Sequence, residues 1–278
     1  MEEMLLTERE GVPFLEFAHF KESGLVSHGF STRHGGVSPS PFDTLNLGLG
    51  RGDDPAHVVE NFTRICKALE IPPRSLVFSD QVHGSGLLEV GLGDRGKGLF
   101  RESDIRNVDG LMTDSPGVAL ATFYADCVPL FFLDPAHKAV ALSHAGWRGT
   151  VDGIGPKTVA AMAKRFQSVP GELLVGIGPS IGPCCFQVSE EVVDAFKRLF
   201  SPDMLERIAK PEGNGKHRID LWLANRMLLE DSGVLPGNIH GAHLCTKCNG
   251  KDFFSHRAMG SNRGSLAAIL ALKEGGAR

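Results

Sequence analysis

Hydrophobic positions along the chain follow two periods. In PAHVVENFTRICKALE, Val59, Phe62, Cys66 and Leu69 recur at the spacing of one helical face, and Asp54–Pro55 supplies an N-cap and a first helical residue. KTVAAMAKRF keeps the same period. SEEVVDAFKRLF opens on a serine cap followed by acids, which suits the positive end of a helix. DLWLANRMLLEDSG is a further helix closed by Gly233, and GSLAAILALKEGG reads as a last one. Short apolar runs between these predict strands: LVSHGFST, SLVFSD, GLLEV, DGLMT, VALATFYA, VPLFFLD, KAVALSH and ELLVGIG. Strands grouped in the middle, with helices between and after them, define an α+β class with mixed β-sheets. Two connections, RHGGVSPSPFDTLNLGLGRG and GLGDRGKGLFRESDIRNV, are longer than ordinary loops, a length that marks functional or disordered segments.

Composition narrows the class. At 42% hydrophobic and 22% charged, the chain can bury a large core. A net charge of -4 gives no basic footprint for nucleic acid. The first twenty residues carry acids where a signal peptide needs a basic start, and Asp126 and Pro129 break the longest apolar stretch before it reaches a membrane span. The expectation is a soluble, cytoplasmic protein without membrane contact. No linker, repeat or low-complexity segment divides residues 1–278, so one domain is expected. The six cysteines then read as thiols rather than a disulfide framework. Cys66 fills a helix face, and adjacent Cys184 and Cys185 cannot both point to one strand face, which favours structural roles.

Three segments share a form in which an apolar run ends at a metal-ligand type of residue: VFSDQVHG with His83, ATFYADCVP with Cys127, and VALSHAGWRG with His144. Two histidines and a thiolate make a set that suits zinc, and three ligands leave a fourth position open, as in catalytic sites. Spacing alone favours packing roles for the three over a metal site. A second region, HGAHLCTKCNGKDFFSHR, holds a CxxC. A zinc ribbon would need a second well-spaced ligand pair, and His240 and His243 lie too close to the CxxC to supply it. Arg33 and Arg148, beside glycines, are candidate phosphate ligands because a guanidinium binds such anions bidentately. Asn46 is a candidate for a purine edge or a ribose hydroxyl, and Trp147 for stacking.

The blocks SDQVHG, ADCVPLFFLDP, SHAGWRG and IGPSIGPCCFQV resemble the signatures of the YfiH-like purine nucleoside phosphorylases, formerly called laccase-domain or multicopper polyphenol oxidase proteins. FSTRHGGVSPSPFDTLNLG, GDDPAHVVENF and CTKCNGKDFFSHR resemble the same family, in consistent order from about residue 28 to 265. The resemblance implies a layered sandwich like that of YfiH-like cysteine hydrolases, with zinc on His83, Cys127 and His144. It places the CxxC block in the scaffold. It further implies phosphorolysis of adenosine, inosine, guanosine and methylthioadenosine, together with adenosine deamination. The chain is expected to act as a monomer or homodimer. Copper is the less favoured metal: a multicopper cluster needs several His-X-His pairs, and the eleven histidines form none. His83, Cys127 and His144 are then the catalytic group, with Asp80 ahead of Asp126 as proton donor, since Asp126 faces away from its neighbour Cys127 on a regular strand. The H-x-E of zinc deaminases is missing after His144. Two rivals stand beside this reading: a metal-free cysteine hydrolase using Cys127 and a histidine, and a non-enzymatic binding protein with a structural zinc.

Overall fold

A computed structural model describes residues 3–275. Its strands begin with β1 (Met4–Arg9), β2 (Val12–Phe17), β3 (Val26–Ser31), β4 (Leu76–Phe78) and β5 (Leu87–Glu89). They continue with β6 (Gly110–Thr113), β7 (Ala119–Tyr124), β8 (Val128–Asp134), β9 (Ala139–Ala145) and β10 (Leu174–Ile177). The last are β11 (Gln187–Ser189), β12 (Ala209–Gly213), β13 (Lys216–Ile219), β14 (Ile239–Gly241) and β15 (Leu266–Leu272). The helices are α1 (Ala18–Ser23), α2 (Pro55–Ala68), α3 (Trp147–Val151) and α4 (Ile154–Phe166), then α5 (Glu190–Lys197), α6 (Pro202–Ile208), α7 (Leu221–Asp231) and α8 (His256–Met259).

One six-stranded sheet has the order β1-β2-β3-β15-β7-β4, a second has β14-β10-β8-β9-β6-β5, and a small third has β11-β13-β12. Both large sheets are mixed: most neighbours are antiparallel, whereas β4–β7, β5–β6 and β10–β14 are parallel. Side-chain alternation along the strands builds the layers. On β8, Phe131 and Leu133 face a core shared with Phe17, Phe30, Leu120 and Leu270 of the other sheet. Its Val128, Leu130 and Phe132 face the opposite way, into a core with α4, α5 and α7. On β15, Ala267, Ile269 and Ala271 pack with Phe62 and Ile65 of α2. The result is helix, sheet, sheet, helix, the layered α+β sandwich expected from the sequence. Central strands buried on both faces read as unbroken apolar runs, as β8 and β9 do.

The same effect corrects one expectation. GSLAAILALKEGG holds no last helix; Leu266–Leu272 is the buried strand β15, paired antiparallel with both β3 and β7. Leucine and alanine favour helices, but a fully buried run carries no period to separate helix from strand, and pairing on both sides decides it. The helix at Asp54–Pro55 forms as expected, with the Asp54 side chain accepting from Ala56 N. The two long connections contain no long element, and both contribute residues to the cavity described next.

Candidate active site

Register carries the chemistry to one place. Strands β8 and β9 are antiparallel with Val128 opposite Ala145 and Pro129 opposite His144, so Cys127, just before β8, lies beside the end of β9. Strand β6 flanks β9 on the other side, pairing Gly110 with Ser143, which sets Asp109 next to His144. The peptide N–H of His144 donates to Asp109 O (2.8 Å). His83 comes from the connection between β4 and β5, in a left-handed conformation (φ 63°). One ligand-type atom from each of His83, Cys127 and His144 lies within 4.8 Å of the other two. Three residues picked from separate sequence segments therefore meet. His144 is buried and His83 is exposed, so the cluster spans the step from core to solvent.

Asp109, which the sequence reading passed over, organises this cluster. Its fully buried carboxylate accepts four N–H donors: Val82 N (3.1 Å), His83 N (2.9 Å), Gly84 N (2.9 Å) and His144 Nδ1 (2.9 Å). A carboxylate only accepts, so Nδ1 of His144 carries a proton and Nε2 is the nitrogen that faces Cys127, protonated in the metal-free pair and able to offer a lone pair to a metal. Burial raises the Asp109 carboxyl, but the His144 and backbone N–H bonds outweigh it and hold the group below its ordinary value. Burial likewise raises the Cys127 thiol, yet the charge and hydrogen bond of His144, with the hydrogen bond of His83, bring it down to about 6. Burial lowers His144, and the Cys127 thiolate and the Asp109 bond push it up to about 9. Free of metal, the pair is a thiolate facing an imidazolium.

Glycines make room for it. A Cβ on Gly146 would stand 3.2 Å from both Cys127 Sγ and His83 Cδ2, and one on Gly149 would stand 2.8 Å from Gly84 O. The spacing of HAGWRG is thus a clearance requirement around the cluster.

The cluster lines a cavity of about 720 Å³ that Asp80, Trp147 and Arg148 also line. Asp80 Oδ2 accepts from Asn107 N (2.9 Å). Arg148 lies over the Trp147 ring at 4.2 Å. Asp126 lines the cavity as well, since at φ 93° it is not on a regular strand, but both its oxygens are engaged, accepting from Thr246 Oγ1 (2.7 Å) and Arg257 N (2.6 Å). Arg33 and Asn46, expected near substrate, do not line this cavity. Arg33 spends its guanidinium on Asp43 O, Asp43 Oδ2 and Gly250 O. Asn46 is fully buried and spends its amide on Asp53, on Gly48 and on Ser265 N. Both hold loops whose other residues, Arg51 and Ser265 among them, do reach the cavity. The sequence reading also missed Arg263, which is 5% exposed and has no partner for Nε. Burial, then the charge of Arg51, lowers its guanidinium to about 10.

A layered α+β sandwich with a Cys–His–His cluster open to a cavity of ligand size defines an enzyme-like small-molecule site. Comparison with known proteins agrees. Residues 27–273 match the family described as multi-copper polyphenol oxidoreductase laccase. The chain is 40% identical over 249 residues to purine nucleoside phosphorylase YlmD of Geobacillus stearothermophilus, covering 88% of this chain and 90% of that one. It is 38% identical over 250 residues to the Bacillus subtilis protein of the same name, covering 90% and 89%. The crystal structure of YlmD from Geobacillus stearothermophilus superposes with a TM-score of 0.91 at 36% identity, over 97% of this chain and 99% of that one. The chain belongs to the YfiH-like purine nucleoside phosphorylase family, whose older description is the laccase one.

Proposed function

We propose that this protein is a purine nucleoside phosphorylase that holds zinc on His83, Cys127 and His144, cleaves purine nucleosides with phosphate, and deaminates adenosine at the same site. The observation that carries the reading is the meeting of those three side chains in a cavity that Arg51, Arg148 and Arg263 also line. The donor set fits the metal. A thiolate favoured at neutral pH and a histidine fixed by a carboxylate on its far nitrogen are what a catalytic zinc ligand set requires. When bound, zinc supplies Lewis acidity at the cavity wall.

The remaining work falls to the chain. Neighbouring guanidiniums favour an anion between them, and the unpartnered Nε of Arg263, with the charge of Arg51 close by, supports this as the place where phosphate would bind. Phe78 and Phe123, packed edge to face at 4.8 Å, give the same cavity apolar walls for a base. Asp80 has one oxygen engaged by Asn107 N and offers Oδ1 for proton exchange with the purine. Thiols at six positions, none bridged, suit a reducing cytoplasm. No helix among the described residues is long and apolar enough to cross a membrane.

Incubation with adenosine and phosphate, followed by chromatography, tests the proposal. Adenine and ribose 1-phosphate should form only with phosphate present, and inosine should form without it. Product no greater than that of a Cys127→Ala control would contradict it. A second reading has its own support: Asp109, His144 and Cys127 also form the hydrogen-bonded order of a cysteine hydrolase. Chelation separates the two, because a nucleophilic Cys127 keeps turning over in metal-free protein and a ligand does not.

A further inference from the structure

Outside the cavity's own cluster, four thiols converge. One sulfur from each of Cys184, Cys185, Cys245 and Cys248 lies within 4.8 Å of all the others. Cys248 Sγ is 3.5 Å from both Cys184 Sγ and Cys185 Sγ. Tetrahedral zinc with Zn–S bonds of ~2.3 Å separates its sulfurs by about 3.8 Å. The second ligand pair that the CxxC lacks in sequence is therefore supplied from some sixty residues upstream. Adjacent cysteines cannot share a strand face, but residues 183–185 form a turn, and a turn lets both thiols reach one point.

We propose that Cys184, Cys185, Cys245 and Cys248 form a second, structural zinc site with four thiolate ligands. Its surroundings suit a metal–thiolate group. Gly182 N donates to Cys245 Sγ (3.3 Å). Arg257 Nη1 donates to Cys185 O (3.3 Å) and Arg218 Nη1 to Cys184 O, which brings two positive groups to a site whose four thiolates outweigh the charge of one zinc. Cys184 and Cys248 are exposed, so an ion has an entry path. Four ligands leave no open position, so the site is closed to substrate.

The metal joins two loops that backbone bonds already align. Ser180 N donates to Leu244 O (3.2 Å) and Thr246 N to Ser180 O (3.0 Å). The first loop leads to Ile181 and Phe186, and the second to His256 and Arg257, all four of which line the cavity. A zinc here fixes one wall of the active site without taking part in its chemistry.

Metal analysis of the full chain, purified without chelator and under reducing conditions, tests this. Wild type should hold about two zinc equivalents, and the Cys184→Ser/Cys185→Ser double variant about one. Cys127→Ala should also hold about one, lost from the other site, so the two assignments fail separately. Equal zinc in wild type and the double variant overturns the proposal, as does a disulfide that removes two of the six titratable thiols. If the double variant does not fold, cobalt titration of the metal-free wild type decides. The intense thiolate-to-cobalt absorption of a four-sulfur tetrahedral site supports the proposal, and only the weaker bands of a single-thiolate site overturn it.

Discussion

Replacing Asp109 by asparagine probes the cluster through a residue that touches no substrate. The carboxylate receives His83 N and His144 Nδ1 on Oδ1, and Val82 N and Gly84 N on Oδ2. Asparagine offers one oxygen. With its amide nitrogen in the Oδ2 place, the Val82 and Gly84 N–H groups face a donor. With the nitrogen in the Oδ1 place, His83 N–H does, and His144 must move its proton to Nε2, which withdraws the lone pair from the cluster. Either way two bonds to a buried charged acceptor disappear. At about 1.5–3 kcal/mol each, unfolding free energy should fall by about 3–6 kcal/mol. Loss of a carboxylate that orients a ligating histidine typically weakens metal binding by ~10–100-fold. Denaturant titration of the metal-free variant reads the first effect, and zinc competition against a chromophoric chelator reads the second. An unchanged unfolding midpoint together with zinc affinity within about twofold of wild type would refute the organising role given to Asp109.

Three further outcomes are expected. In metal-free protein, alkylation of Cys127 should rise with a midpoint near pH 6, far below the ordinary thiol value of 9, and zinc should suppress it; a midpoint near 9 would remove the thiolate–imidazolium pair. Melting temperature is a poor readout of this pair. The lowered thiol stabilises above its ordinary value of 9 and loses that contribution as pH falls through about 6, whereas the raised His144 stabilises below 6.5 and loses its contribution as pH rises through about 9. The two windows oppose each other over most of their span. Arg263→Gln should raise the KM for phosphate by about 10–100-fold with little change in the KM for nucleoside, from loss of a charge-assisted contact. Equal effects on both substrates would place Arg263 elsewhere in the reaction. Phe131→Ala, which empties a fully buried position packed edge to face on Phe17 at 5.4 Å, should cost about 3–5 kcal/mol in denaturant unfolding; a cost under 1 kcal/mol would mean that the two sheets do not share the core described.

Much of the site was legible because its candidate ligands end apolar runs: His83, Cys127 and His144 each stand where a strand-like segment meets glycine or polar residues, and the folded chain brings them together. Asp109 was not. An aspartate before glycine looks like a turn residue, and its donors lie 26 and 35 positions away in sequence, brought close only by the order β5-β6-β9. Arg33 and Asn46 show what loop signals leave open. Neighbouring glycines and polar residues mark a loop, but sequence does not say whether a side chain turns outward to a ligand or inward to its own backbone, and both turn inward. Strands β4 to β10 were readable from short apolar runs with polar or glycine boundaries. The first two strands were passed over although Val12–Phe17 is largely apolar; Glu8, Arg9 and Glu16 interrupt the pattern, and Glu16 is nonetheless buried, bonded to Thr7 and Lys21. Strand β15 failed because burial on both faces erases the period that separates strand from helix. The cysteine turn at 183–185 failed because only the folded chain brings it to Cys245 and Cys248.

Phosphate-dependent nucleoside cleavage, measured side by side on zinc-loaded wild type, chelated wild type and Cys127→Ala, tests the central claim most directly. The account predicts adenine and ribose 1-phosphate from the zinc-loaded enzyme, loss of both on chelation, recovery when zinc is restored, and none from Cys127→Ala. Undiminished turnover in the chelated protein, or equal turnover in Cys127→Ala, would contradict it.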